Sequence, residues 1–263
     1  MFTWKELDFW NSEEWKDIQE RLDVREHLGL RSNPRRDLMF KCLDCVPFED
    51  CKVCFVGQDP YPLHRYCTGI AFSIPVTETK WPSALCQLFA EYTSDLGTAN
   101  AMERSVQPKY TTPKTGDLTK WCDQGVLMIN STWTCSDRAS LSHYNWPWNY
   151  LTQEIIERLA AKPQGCVFVF LGARAREFVQ YVDPDSRVSI PSVVKRNGLE
   201  YFDVYPTGER NFIIETSHPS PRAYTGKRVR PIDWTPFKGS RIFTTINQYL
   251  IWLHHTPIDW RLE

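Results

Sequence analysis

The chain lacks any surplus of charge: its 263 residues hold 31 Lys and Arg against 32 Asp and Glu, a formal net charge of −1. That excludes a protein that coats nucleic acid through overall basicity, so any nucleic-acid site must be a local patch. Long apolar runs are also missing. None approaches the ~20 residues of a membrane span, and Met1 to Lys16 has no apolar core of signal-peptide length. The expectation is an intracellular chain without membrane association, with nucleus, cytoplasm and virus-infected cell not distinguished. Internal repeats are absent as well: Pro-Ile-Asp-Trp occurs at 231–234 and at 257–260, but the flanking residues do not match. What remains is an ordinary globular composition, 42% hydrophobic and 24% charged. The length suits one domain over 1–263 with a substantial core.

Aromatic residues are plentiful, with 11 Trp and 14 Phe. Most belong in a core; stacking surfaces for bases are the sharper reading of the rest. The nine cysteines include Cys42, Cys45, Cys51 and Cys54, spaced C-x2-C-x5-C-x2-C. The spacing resembles a metal site. Against it, Cys51 and Cys54 open an apolar strand, and residues three apart on a strand face opposite ways. Buried free thiols are the alternative, and an intracellular chain needs no disulfides. The expectation is no metal.

Four short apolar runs read as strands: Val53–Val56, Val126–Ile129, Cys166–Leu171 and Phe212–Ile214. Each is apolar nearly throughout instead of alternating, as in a sheet covered on both faces. Helical spacing lies between them at Ser83–Leu96, Tyr150–Ala161 and Ala173–Tyr181, with a last helix at Ile242–His254. Residues 4–28 suggest one or two amphipathic helices, with a helix start at Asn11-Ser12-Glu13-Glu14. Strands alternating with helices predict an α/β fold: a central four-stranded parallel sheet flanked by helices on both faces. Asn197-Gly198, between Val193-Val194 and Leu199–Phe202, predicts a two-stranded flap.

Polar candidates follow each strand. Gly57-Gln58-Asp59-Pro60-Tyr61-Pro62 breaks the first into a rigid acidic turn, Asn130 ends the second, Gly172 ends the third, and His218-Pro219-Ser220-Pro221 follows the fourth. Ligands bind at that edge of open α/β sheets. Taken singly, each has a plainer reading: Asp59 an Asx turn, Asn130 a helix N-cap, His218 a satisfied buried histidine, Phe72 ordinary core.

Together these segments resemble the main uracil-excising family of uracil-DNA glycosylases, in a divergent form. Gly57-Gln58-Asp59-Pro60-Tyr61 is similar to the family's water-activating motif, and Gly69-Ile70-Ala71-Phe72-Ser73 to the segment with its base-stacking Phe. Pro82-Ser83 resembles its phosphate loop, Gln124 to Asn130 the segment ending in its uracil-reading Asn, and His218 to Pro221 its intercalation loop. Pro257-Ile258-Asp259-Trp260 resembles its ending. The resemblance implies a monomer without cofactor, acting on uracil-containing DNA, single- or double-stranded, with a protein inhibitor or replication partner as a further class of partner. It implies Asp59 and His218 as catalytic residues, and Gln58, Tyr61, Phe72 and Asn130 as the uracil pocket. For DNA contact it implies Pro82, Ser83, Gly172, Ser220, Pro221, Arg222 and Tyr224.

The basic patch fits: Arg222, Lys227, Arg228, Arg230, Lys238 and Arg241 face only Asp233 in acid count, with Tyr224, Trp234 and Phe237 interleaved. A solvated surface loop is the plainer reading of that stretch. Three positions depart from the family pattern. Pro62 stands where a His is usual, as in the poxvirus branch; His64 is near enough in sequence to replace it. Arg222 stands where the wedge Leu is usual, and Ala173 where a phosphate-binding Ser is frequent. Segments 183–211 and 227–240 are longer than typical and read as insertions. A catalytically weak, DNA-binding subunit of a replication complex is the alternative function.

Overall fold

The computed structural model describes residues 2–100, 111–182, 193–196, 199–202, 210–221, 223 and 235–262; for 98–100, 193–196 and 199–202 it describes the backbone alone. The strands are β1 (Ser32–Asn33), β2 (Val53–Gly57), β3 (Val126–Asn130), β4 (Cys135–Ser136), β5 (Cys166–Leu171), β6 (Val193–Arg196), β7 (Leu199–Phe202) and β8 (Asn211–Thr216). The helices are α1 (Glu13–His27), α2 (Lys41–Cys45), α3 (Ser83–Asn100), α4 (Thr119–Cys122), α5 (Trp148–Ala160), α6 (Ala173–Arg176) and α7 (Ile242–Trp252).

The central sheet has the order β3-β2-β5-β8 and is parallel throughout. Every residue of β5, and Val53 to Val56 of β2, is 0% exposed. Side chains alternate between faces along a strand, so full burial of consecutive residues means that both faces are covered. Helices supply the cover: α6 and α7 pack on β5, and α2 and α4 on β3. The edge strand β8 is mixed, with Ile213 and Glu215 half-exposed.

Most of the aromatics are core. Trp121, Tyr92, Phe243 and Trp260 interlock between α3, α4, α7 and the C-terminal segment, with Trp121 Nε1 donating to the Trp260 carbonyl at 2.9 Å. A second group, Phe9, Trp10, Trp15, Phe40, Trp133 and Trp148, ties α1 to α5. Each ring that is fully buried, such as Trp121, Trp148 and Trp260, contributes about 1.5–3 kcal/mol by leaving water. The N-terminus folds as two short 3-10 turns followed by α1, whose Ser12 accepts from the Trp15 amide as an N-cap.

Some boundaries shift. The third predicted helix is α only over Ala173–Arg176 and resumes as a 3-10 turn at Val179–Tyr181. The first extends to Asn100. β8 extends to Thr216 because parallel pairing with β5 continues to Leu171. The expected flap is present as the antiparallel pair β6–β7, with Arg196 opposite Leu199; Asn197 and Gly198 lie outside the described residues. Cys42, Cys51 and Cys54 are buried and Cys45 is half-buried. Burial pushes the Cys42 and Cys54 thiols well up, which disfavours the thiolate that a metal requires. Among the described residues no three His, Cys, Asp or Glu side chains gather as a metal site.

Candidate active site

Parallel register places the ends of four strands along one edge. Gly57 lies opposite Asn130, and Leu171 opposite Thr216. The chain leaves these ends through Gln58-Asp59, Gly172 and Ser217-His218. A cavity of about 410 Å³ opens there, lined by Gln58, Asp59, Tyr61, Phe72, Asn130, Ser140, Gly172, Ala173, His218 and Ser220 among others.

Two glycines permit this convergence. A Cβ on Gly57 would sit 2.5 Å from Asn130 Oδ1 and 3.1 Å from Phe72 Cε2. Gly172 has φ +91°, and a Cβ there would lie 2.8 Å from the His218 Cβ. Phe72 is held at φ 64°, an unusual backbone for a large side chain that its surroundings must enforce. The Tyr61 hydroxyl donates to the Phe72 carbonyl at 3.0 Å, and the Ala71 amide donates to the Met128 carbonyl at 3.0 Å. Burial pushes the Tyr61 phenol up, so it stays a neutral donor. The Phe72 ring lies 5.8 Å from the His218 imidazole, tilted by 36°.

His218 is held down to about 4 by burial. It is therefore a neutral imidazole at ordinary pH, with a ring N–H free to donate. The Asn130 carboxamide also faces the cavity, offering a donor and an acceptor side by side. The backbone beneath is fixed: the Gln58 carbonyl accepts from Ser131 Oγ at 2.7 Å and the Thr132 amide at 3.0 Å.

Asp59 is tied on both oxygens. Gln58 Nε2 donates to Oδ1 at 2.9 Å and the Leu141 amide donates to Oδ2 at 2.6 Å. Ser140 Oγ lies 2.9 Å from Oδ1 and 2.7 Å from Oδ2. The contribution of Ser140 and Leu141 was not visible in the sequence. They sit over 80 positions away, in a turn whose closeness to Asp59 depends on tertiary packing. The only hint was that β3 must be followed by a loop on the same edge.

His64 does not replace the missing histidine at position 62. It turns away in a 3-10 turn, with Nδ1 3.0 Å from Asn33 Oδ1. Ser83 is exposed at the start of α3, and Pro82 precedes it. Ser220 lines the cavity and Pro221 is exposed beside it. Arg222 and Tyr224 lie outside the described residues. The ends of their segment are pinned, because Ser217 Oγ donates to the Ala223 carbonyl at 2.7 Å and accepts from the Phe237 amide at 3.0 Å.

Residues 44–251 match the model of the "Uracil DNA glycosylase superfamily". A uracil-DNA glycosylase of Campylobacter concisus is 30% identical over 99% of this chain and 94% of its own length. One from Mycobacterium tuberculosis is 31% identical, over 90% of this chain and 82% of its own. Among solved structures, the mimivirus uracil-DNA glycosylase is similar with a TM-score of 0.77 and 25% identity, over 98% of this chain and 86% of that one. A variant of the mimivirus protein in complex with UGI has a TM-score of 0.75 at 24% identity, over 98% and 88%.

Proposed function

The chain belongs to the uracil-DNA glycosylase superfamily, and on that premise we propose how its site releases uracil from DNA by hydrolysing the N-glycosidic bond, leaving an abasic site. The observation that carries the reading is the meeting of Asp59, Asn130 and His218 around one cavity, each from a different strand end. As the C1′–N1 bond breaks, positive charge grows on the sugar and negative charge on the base. Asp59 stabilises the sugar cation and directs the water. Neutral His218 donates to the base O2, where the anion's charge collects, as an oxyanion hole does.

Asn130 distinguishes uracil from cytosine by donating to O4 and accepting from N3–H. Cytosine presents the reverse pattern and would leave the carboxamide unpaired. Tyr61, braced by its bond to the Phe72 carbonyl, walls off C5 against the thymine methyl, and Phe72 stacks on the flipped base. The Gln58 backbone amide adds a contact to O2. The hydroxyls and backbone amides of Ser83, Ser220 and the Gly172 loop hold backbone phosphates, with Pro82 and Pro221 shaping those loops, and Arg222 and Tyr224 are further residues for DNA contact. A protein partner is a further part of this reading; the UGI complex of the mimivirus neighbour supports it.

Wild type is expected to release uracil from single- and double-stranded DNA. Asp59→Asn should lower the rate by about 10²–10⁴ and His218→Leu by about 10²–10³. A wild type that releases no uracil, or a fully active Asp59→Asn, overturns the reading. The alternative of a catalytically weak DNA-binding subunit is disfavoured, because a scaffold needs no carboxylate, carboxamide and imidazole converging on one cavity.

A further inference from the structure

Asp59 is followed by two residues of little use for holding a water: Pro60 and Pro62 have neither a side-chain donor nor an amide hydrogen. The turn that follows β4, together with Asn33 of β1, packs against this stretch. The Arg138 amide donates to the Pro62 carbonyl at 2.6 Å, and Asn33 Nδ2 donates to the same oxygen at 2.9 Å. Ser142 Oγ closes the turn, accepting from the Ser136 amide and donating to the Ala139 carbonyl, both at 2.7 Å. Arg138 and Leu141 take φ of 62° and 61°, so the backbone spends conformational energy to present this face.

At its tip, Ser140 Oγ lies within hydrogen-bond reach of both Asp59 oxygens. Ser140 is exposed and lines the same cavity as Asn130 and His218. A hydroxyl has one proton and two lone pairs. When its proton goes to the carboxylate, the lone pairs remain available to a water in the cavity.

We propose that Ser140 is a positioning residue for the glycosidic reaction: its hydroxyl donates to Asp59 and accepts from the attacking water, so that carboxylate and hydroxyl together aim the water at C1′. The proposal rests on the reading of the chain as a uracil-releasing glycosylase. In the step itself the water oxygen bonds to C1′ while the C1′–N1 bond breaks and its electron pair leaves on the uracil ring. The water's proton passes to Asp59 and on to solvent, and solvent supplies the proton that the uracil anion takes up. Ser140 keeps its own proton and is unchanged.

The test compares wild type, Ser140→Ala, Ser140→Thr, Asp59→Asn and the Asp59→Asn/Ser140→Ala double variant on a uracil-containing single-stranded oligonucleotide. Single-turnover rates and KM are measured for each. Ser140→Ala should slow the chemical step roughly ten- to a hundred-fold, the scale of one hydrogen bond to a charged group, with KM within about two-fold. Ser140→Thr, which keeps the hydroxyl, should recover most of the rate. The double variant should be little slower than Asp59→Asn alone, since the two groups act as a unit. A rate for Ser140→Ala within about two-fold of wild type, a loss that appears only in KM, failure of Thr to restore, or an additive double variant overturns the proposal. A wild type that releases no uracil overturns the glycosylase reading and this proposal with it; an active wild type with an unaffected Ser140→Ala overturns this proposal alone.

Discussion

Gly57 and Asn130 face each other across the β2–β3 register, and a methyl on Gly57 would stand 2.5 Å from Asn130 Oδ1. Gly57→Ala must therefore push the carboxamide out of place while the strand remains paired. The expected outcome is a folded protein, by circular dichroism, whose kcat/KM for uracil release falls at least ten-fold, a modest displacement being enough to cost that much. A second residue-scale consequence concerns acid. His143, 1% exposed and stacked on Trp146 at 3.8 Å, is held down to about 4 by burial. Above pH 6.5 it is neutral whether the chain is folded or not and has no effect on the pH dependence. Between about 6.5 and 4 the unfolded chain binds the proton and the folded one does not, so stability falls as pH falls; below 4 the slope ends. The full loss is about 3 kcal/mol. Urea unfolding at pH 7 and pH 4.5 should show a smaller acid loss in His143→Gln than in wild type.

At the scale of elements, the site depends on how helices hold the loops that leave the sheet. α3 begins beside Pro82-Ser83 and carries Glu91 and Asp95, both nearly buried. Glu91 accepts from the Gly239 amide at 2.6 Å and the Arg241 amide at 2.8 Å, and Asp95 accepts from the Thr244 amide at 2.9 Å. Carboxylates here satisfy the free amides at the start of α7 and complement its dipole. They also anchor the end of the segment that leaves His218. Glu91→Ala strips buried amides of their acceptor. It should cost about 3 kcal/mol, on the order of 10 °C in Tm. Differential scanning calorimetry checks this; an unchanged Tm would mean that α7 is held without the cap.

At the scale of the whole molecule, a net charge of −1 leaves no general attraction to DNA, so binding has to come from a local surface. The stretch from Arg222 to Arg241 sets six cations against the single acid Asp233. Each lost phosphate contact should flatten the log–log salt dependence of binding by about one. Arg222→Ala is expected to do that, and to weaken activity on duplex more than on single strands, since only the duplex has a stack to wedge open. Equal losses on both substrates, measured in parallel over a salt series, would remove the wedge role from Arg222.

The sequence by itself determined the parallel sheet, because unbroken apolar runs of strand length with helices between them have no other way to bury two faces. It also determined which residues meet at the cavity: Asn130 ends a strand, Gln58-Asp59, Gly172 and His218 each follow one, and parallel strands end on one edge. Phe72 and Tyr61 were legible from their motifs, and the Trp-rich core from composition. What only the tertiary structure decided is how those groups are held. The grip of Ser140 and Leu141 on Asp59, the turn of His64 toward Asn33, and the break of the Ala173 helix after one turn all depend on contacts between residues far apart in the chain. Local periodicity and turn chemistry are blind to such contacts, because a hydrogen bond from position 140 to position 59 leaves no mark on the spacing of either segment.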